Sequence, residues 1–421
     1  MSAARLGCIS SRIHACIRVV RSLFILEPAS VATEKFEHGH DGDHFIDSSA
    51  WSRVDSELTG PKSAHHRFWW NKNTGHVLAV LLDKAGYSPD LQYRHLKFFA
   101  GVIAPHLGAS LEPSVEDRSQ WHSFMTDDGT PVELSWDWGT SGGPPMIRYS
   151  VEPVGLHAGS ALDPSNNAEA SVLDNQLIHA LPDMRLEWFN HFNQFFNGLG
   201  NDQAKILSAD DHETRIFYAF DLSADCITAK TYFFPKFRAK ADGISNLDVL
   251  SKAIDAAPLV TKLNSKAWSL YHQFSTESSD KLEQEMLAID HIDPLQSRIK
   301  IYFRSRKTDF DSVASTMTLN GRNNNPKLRE GLQDLKRLWK ILFEVDTPGQ
   351  SLPEVGHRTA GILYNVEFKL GDSFPVAKVY LPVRHYAKSD EGIIQALGKY
   401  LDHHGRGKYL PQYVDAMHTL L

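Results

Sequence analysis

Cysteine is scarce. Cys8, Cys16 and Cys226 are the only three in 421 residues. So few, so far apart, give neither a disulfide framework nor a zinc site, and nothing requires an oxidising compartment. An excess of positive charge is also lacking. The chain carries 44 basic and 51 acidic side chains, a net charge of −7, which argues against general affinity for nucleic acid or membranes. Long hydrophobic runs are missing too. No stretch reaches the roughly 18 apolar residues of a transmembrane helix. What remains, 42% hydrophobic and 23% charged, is ordinary for a globular protein. Length alone suggests two or three domains, although a large barrel would absorb it as one.

Against this acidic background one basic strand stands out. In Arg298-Ile299-Lys300-Ile301-Tyr302-Phe303, strand alternation puts Arg298, Lys300 and Tyr302 on one face and the apolar residues on the other. Lys230-Thr231-Tyr232 and Lys378-Val379-Tyr380 repeat the device. Solvated lysines on an antiparallel sheet would explain one copy. Three copies point to a shared polar cavity and a local anionic ligand.

Along the chain, residues 1–30 hold Arg5, Arg12, Arg18 and Arg21 before the first acid, Glu27. The composition is that of a mitochondrial transit peptide. The favoured reading is a disordered extension over 1–55, with a cytoplasmic protein. His38, His40, Asp41, Asp43 and His44 read as a solvated linker rather than a metal site. One domain then spans 56–421, its ordered body starting near Ser63. Helical patterns cover 63–85 and 88–107. Strands are expected at 130–138 and 146–153, joined by the turn-forming 139–145. A helix at 183–198 precedes strands at 214–222 and 226–234. Helices at 245–256 and 265–289 precede strands at 297–305 and 311–319. A helix at 326–344 precedes strands at 360–370 and 375–382, and helices at 389–402 and 408–420 close the chain. Paired strands between helices, with short connections, describe an α+β antiparallel sheet rather than a parallel wind. The strands carry an apolar face and a face rich in charge and phenol. Either an open sheet or a closed barrel fits that pattern; the spread of Lys-x-Tyr over distant strands favours closure.

Five stretches, Thr126 to Trp136, Ile147 to Pro153, Lys230 to Pro235, Arg298 to Tyr302 and Lys378 to Tyr380, resemble the fungal dimethylallyltryptophan synthase family of aromatic prenyltransferases, in order over about residues 55–421. The resemblance implies the αββα prenyltransferase barrel, about ten antiparallel strands inside a ring of helices. It implies transfer of a prenyl group, dimethylallyl above all, from its diphosphate to an aromatic carbon, nitrogen or oxygen. Prenyl diphosphate and a small aromatic acceptor are then the partners. A homodimer is admitted as the assembly, although no stretch of sequence specifies one.

On that resemblance Arg148, Lys230, Arg298, Lys300 and Lys378 form the diphosphate cradle, joined by Arg406 near the C-terminus. Structural ion pairing is the alternative role for these cations. Tyr232, Tyr302 and Tyr380 shield the allylic cation through their ring faces, with Tyr409 and Tyr413 completing the shield or packing the C-terminal helix. Glu133 sits where the family places the carboxylate for the acceptor's N–H or O–H; a salt bridge to Arg148 is its alternative. C4-prenylating relatives carry a lysine on the strand before Lys230. Here that stretch, Arg215 to Asp221, has none, which argues against C4 attack on tryptophan itself. Asp127-Asp128 is followed by Gly129-Thr130-Pro131 and lacks the Asp-Asp-x-x-Asp pattern, so it reads as a turn. No metal and no cofactor are expected. The acceptor implied is a tryptophan-derived indole, with a phenolic polyketide of xanthone or naphthacene type as runner-up. A non-catalytic barrel carrying an isoprenoid or phosphate ligand is the competing class.

Overall fold

The computed structural model describes residues 49–58, 63–111, 119–139, 143–198, 214–260 and 266–420. The N-terminal arginines and the His/Asp-rich stretch lie outside these residues. Among the described residues, no helix is long and apolar enough to cross a membrane.

Eight strands form one sheet: β1 (Val132–Asp137), β2 (Met146–Val151), β3 (Ile216–Leu222), β4 (Ile227–Phe233), β5 (Glu283–Asp290), β6 (Ile299–Ser305), β7 (Ile362–Phe368) and β8 (Val376–Tyr380). Sheet order follows chain order, and every neighbouring pair is antiparallel. About ten strands were expected; eight lie among the described residues. The sheet curls, because Ser135 on β1 and Lys378 on β8 line one cavity. The polar faces therefore turn inward and the apolar faces outward.

Helices cover the outside. Glu187–Asn197 lays Phe189, Phe192 and Phe196 on Phe233 of β4, with ring centroids 6.2, 6.1 and 5.7 Å away. Lys266–Glu277 sets Tyr271 and Phe274 on Phe303 of β6. Each fully buried aromatic of this kind stabilises by about 1.5–3 kcal/mol, so the outer face holds the sheet and leaves the inner face to chemistry.

Three sequence expectations need correction. Residues 311–319 are not a strand, because Phe310–Met317 is a helix. Asp309 caps it by accepting from Ser312 N at 2.8 Å, and Phe310, Val313 and Met317 recur at helical spacing on its buried side. The partner of β6 is instead β5, expected as the tail of a 265–289 helix. That helix ends at Glu277, and the strand's alternation is broken by a bulge between Gln284 and Met286. Finally, a helix at Ser49–Glu57 precedes the expected start near Ser63. Ala50 and Val54 are buried on it and Asp55 accepts from the Trp70 indole at 2.9 Å. The expected boundary between 55 and 56 falls inside this helix.

Candidate active site

The ladder fixes which side chains meet. Ser135 faces Arg148, Arg148 faces Asp221, Ala219 faces Lys230, Lys230 faces Asp290, and Lys300 faces Glu367. Strict alternation places these on the inner face, where Arg148, Lys230, Arg298, Lys300 and Lys378 line one cavity with about 890 Å³ of open space. The three Lys-x-Tyr strands converge there as the sequence reading expected.

Each of these cations meets a carboxylate. Arg148 pairs with Asp137 and, at 3.2 Å, with Asp221. Lys230 reaches Asp221 at 2.5 Å. Arg298 spans Asp290 at 2.9 Å and Glu367 at 3.2 Å. Lys300 pairs with Asp290, and Lys378 with Glu367 at 2.8 Å. Five cations thus stand against Asp137, Asp221, Asp290 and Glu367, leaving one positive charge over. The ion-pairing alternative and a shared cavity are both present, since the pairs form inside it. Burial alone would raise the acids, yet the neighbouring cations outweigh it. Lys230 and Arg148 hold Asp221 below its ordinary range, Lys300 and Arg298 hold Asp290 there, and Lys378 and Arg298 do so for Glu367. Burial pushes the Lys300 ammonium down to about 7, against the pull of Asp290 and helped by Lys230 and Arg298.

A tyrosine wall borders the charges. Tyr302 stands between Tyr232 and Tyr380, with ring centroids 5.6 and 5.8 Å away. Its hydroxyl lies 3.5 Å from that of Tyr380. Beyond the wall a second space of about 1310 Å³ is lined by apolar groups that include Phe124, Met125, Phe217, Met286 and Leu363. Glu133 is on its wall, opposite Ser150 in the β1–β2 register. Ser150, Tyr232 and Tyr380 border both spaces, so they are the two halves of one cleft. One half can hold an anion; the other can hold an aromatic ring.

Three expected residues line neither half. Arg406 donates from Nε to Trp138 O at 3.0 Å and from Nη2 to Trp138 O and Gly143 O at 2.5 and 2.6 Å, clamping the β1–β2 turn. Tyr409 stacks under the Arg406 guanidinium, 4.5 Å from its ring centre. Tyr413, on helix Leu410–Leu420, is buried against Trp136 and Trp138, centroids 5.6 and 5.2 Å away, on the outer face of β1. Strand parity already separates those tryptophans from Glu133. As for Asp127 and Asp128, Asp128 accepts from Thr126 Oγ1 at 2.6 Å and Thr130 N at 3.0 Å within the expected turn, while Asp127 pairs with Arg384.

Sequence reasoning missed Asp221, Asp290 and Glu367 as partners of the bases. Parity along 214–222 and 360–370 could have found Asp221 and Glu367. Asp290 was hidden by the helix reading of its strand.

Comparison with known proteins identifies the family and the fold. The tryptophan dimethylallyltransferase family model matches residues 65–416. A 4-O-dimethylallyl-L-tyrosine synthase of Claviceps purpurea is 35% identical over 365 residues, covering 85% of this chain and 81% of that protein. A 7-dimethylallyltryptophan synthase of Aspergillus fumigatus is also 35% identical, over 377 residues, covering 85% and 79%. Among solved structures, AnaPT from Neosartorya fischeri superposes with a TM-score of 0.74 at 27% identity, covering 87% of this chain and 88% of that one. The chain belongs to the tryptophan dimethylallyltransferase family and is an aromatic prenyltransferase with the αββα barrel fold.

Proposed function

We propose that the basic half binds dimethylallyl diphosphate, that the apolar half binds the aromatic acceptor, and that the tyrosine wall between them is where the prenyl group crosses. The observation that carries this reading is the continuity of the two halves at Ser150, Tyr232 and Tyr380.

The allylic C1–O bond breaks and its electron pair leaves with diphosphate. Arg148, Lys230, Arg298, Lys300 and Lys378, already oriented by their carboxylates, stabilise the charge that grows on the leaving oxygens. Each charge-assisted contact contributes about 1.5–3 kcal/mol. The ring faces of Tyr232, Tyr302 and Tyr380 attract the allylic cation and keep water from it. The acceptor's ring carbon or heteroatom then forms the new bond and gives up one proton. Glu133 accepts a hydrogen bond from the acceptor's N–H or O–H and, as the general base, takes the proton released. The basic half supplies the positive charge that a magnesium ion would otherwise bring to diphosphate, so the reaction runs without metal.

A tryptophan-derived indole remains the proposed acceptor. Dimethylallyl transfer to L-tyrosine oxygen and to tryptophan C7 in the two relatives' names supports a free aromatic amino acid over a polyketide. The inward positions of β3 are Phe217, Ala219 and Asp221, without a lysine, which disfavours attack at tryptophan C4.

The test is a screen of indole and phenol acceptors with dimethylallyl and geranyl diphosphate, with products identified by mass spectrometry, repeated in excess EDTA. Acceptor-dependent release of diphosphate that survives chelation is expected. Binding of the diphosphate with no transfer to any acceptor would leave only a carrier, and activity abolished by EDTA and restored by magnesium would end the metal-independent mechanism.

A further inference from the structure

Strand β5 contains a residue that should not face the cavity. Its inward residues, Met286 and Ala288, stand opposite Tyr302 and Lys300. By strict alternation Glu285 would point outward with Leu287 and Ile289. Instead, Gln284 pairs with Phe303 and Met286 with Tyr302, so Glu285 is the extra residue of a bulge. Both Glu285 and Met286 line the apolar half. A bulge interrupts the ladder and re-aims a side chain, a device common beside active sites. Here it delivers a carboxylate into the half of the cleft that Phe124, Met125 and Phe217 share with Glu133, Arg384, His385 and Asp390.

Arg304, the next inward residue of β6 after Tyr302, holds that carboxylate. Its Nε donates to Glu285 Oε1 at 2.6 Å and its Nη2 to Oε2 at 3.2 Å. Its Nη1 donates to Thr359 O at 2.9 Å. The guanidinium is therefore committed to the protein, and its side chain is only 5% exposed against 18% for Glu285. Both line the cavity, and the carboxylate is the more exposed member of the pair. Each of its oxygens accepts one bond from Arg304 and keeps a lone pair for another donor. Such a group suits a cationic donor, and partial burial strengthens the contact. As a purely structural pair it would be poor value, because burying two charges costs several kcal/mol that well-packed apolar residues would not incur.

We propose that Glu285 is the anchor for a protonated amine on the acceptor, so that the enzyme's substrates are aromatic amino acids or arylalkylamines rather than neutral aromatics. This rests on the assignment of the apolar half to the acceptor. Glu133 would then read the ring N–H or O–H, and Glu285 the head group. Arg304 acts through Glu285, as a positioning residue.

The experiment compares matched acceptors with dimethylallyl diphosphate: L-tryptophan and tryptamine against indole-3-propionate, and L-tyrosine against 3-(4-hydroxyphenyl)propionate. The wild-type enzyme should favour the amine-bearing member of each pair by about 10- to 100-fold in kcat/KM, the value of one charge-assisted hydrogen bond, mostly through KM. Tryptamine, which keeps the amine and lacks the carboxylate, should stay with the favoured group. Glu285→Gln should compress the ratio at least tenfold, to be read beside a melting temperature that reports the fold. Equal use of amine and des-amino acceptors by the wild type, or an unchanged ratio in Glu285→Gln, overturns the anchor. Should the variant fail to fold, the wild-type comparison decides alone. Failure to prenylate any aromatic acceptor would instead overturn the functional assignment on which the anchor rests.

Discussion

Asp290 reaches diagonally across the sheet to Lys300. Ala288, not Asp290, is directly opposite Lys300, and the residue facing Asp290 on the other side is Lys230. Both members of the Lys300–Asp290 pair are at most 5% exposed. The carboxylate therefore fixes the ammonium at the centre of the basic half, ready for an anion that does not have to organise it. Lys300→Ala should weaken donor binding and slow turnover by about one to two orders of magnitude, from loss of about 1.5–3 kcal/mol. Titration calorimetry with a non-hydrolysable prenyl diphosphate and steady-state rates measure both. Parental kinetics would remove Lys300 from the cradle.

The same lysine makes donor binding depend on pH. In the empty cleft burial pushes it down to about 7. An arriving diphosphate favours the charged form and raises it. A group whose bound pKa exceeds its free pKa takes up a proton on binding. Affinity should be full below about pH 7 and weaken as pH rises above it. At about pH 8, where the donor's own diphosphate is ionised, heats measured in buffers of different ionisation enthalpy should show proton uptake that Lys300→Ala abolishes. Binding with no proton exchange in the wild type would contradict this.

Glu133→Gln separates the two halves of the cleft. It keeps size and hydrogen-bond acceptance but removes the charge and most of the basicity. Turnover at saturating donor should fall by about 10²-fold or more. Donor affinity should rise slightly, if it moves, as repulsion with diphosphate is relieved. Loss of donor binding with turnover retained at saturation would put Glu133 in the wrong half.

Tyr302 touches both other tyrosines of the wall, so Tyr302→Ala should open it to water. A ring face contributes about 0.5–2 kcal/mol toward a cation, so the ratio of prenyl alcohol to prenylated product should rise about 2- to 30-fold. Chromatography of both products gives the ratio directly. A ratio equal to the parent's would show that the wall does not shield.

Arg406→Ala should affect stability rather than donor binding. It removes hydrogen bonds to Trp138 O and Gly143 O at the β1–β2 turn, worth about 1.5–3 kcal/mol for a charged donor. A lower denaturation midpoint with an unaltered donor dissociation constant is expected. A large loss of donor affinity in a fully stable variant would return Arg406 to the cradle.

The sequence by itself determined which faces of the strands carry the chemistry. Period-two alternation in Arg298-Ile299-Lys300-Ile301-Tyr302 needs no tertiary information to put base and phenol together, and the same holds for Lys230, Tyr232, Lys378, Tyr380 and Glu133. Tertiary structure decided what alternation cannot express. The curl of the sheet brought β1 and β8 to one space, and diagonal reach rather than register joined Asp290 to Lys300. Packing of helix Leu410–Leu420 on Trp136 and Trp138 took Tyr413 out of the site, because a helix's docking face depends on the surface it meets. A single inserted residue in β5 broke the period that would have identified the strand, and turned Glu285 from the outer face to the inner one. Bulges and long-range docking are set by contacts between distant segments, so they leave no fixed spacing in the chain.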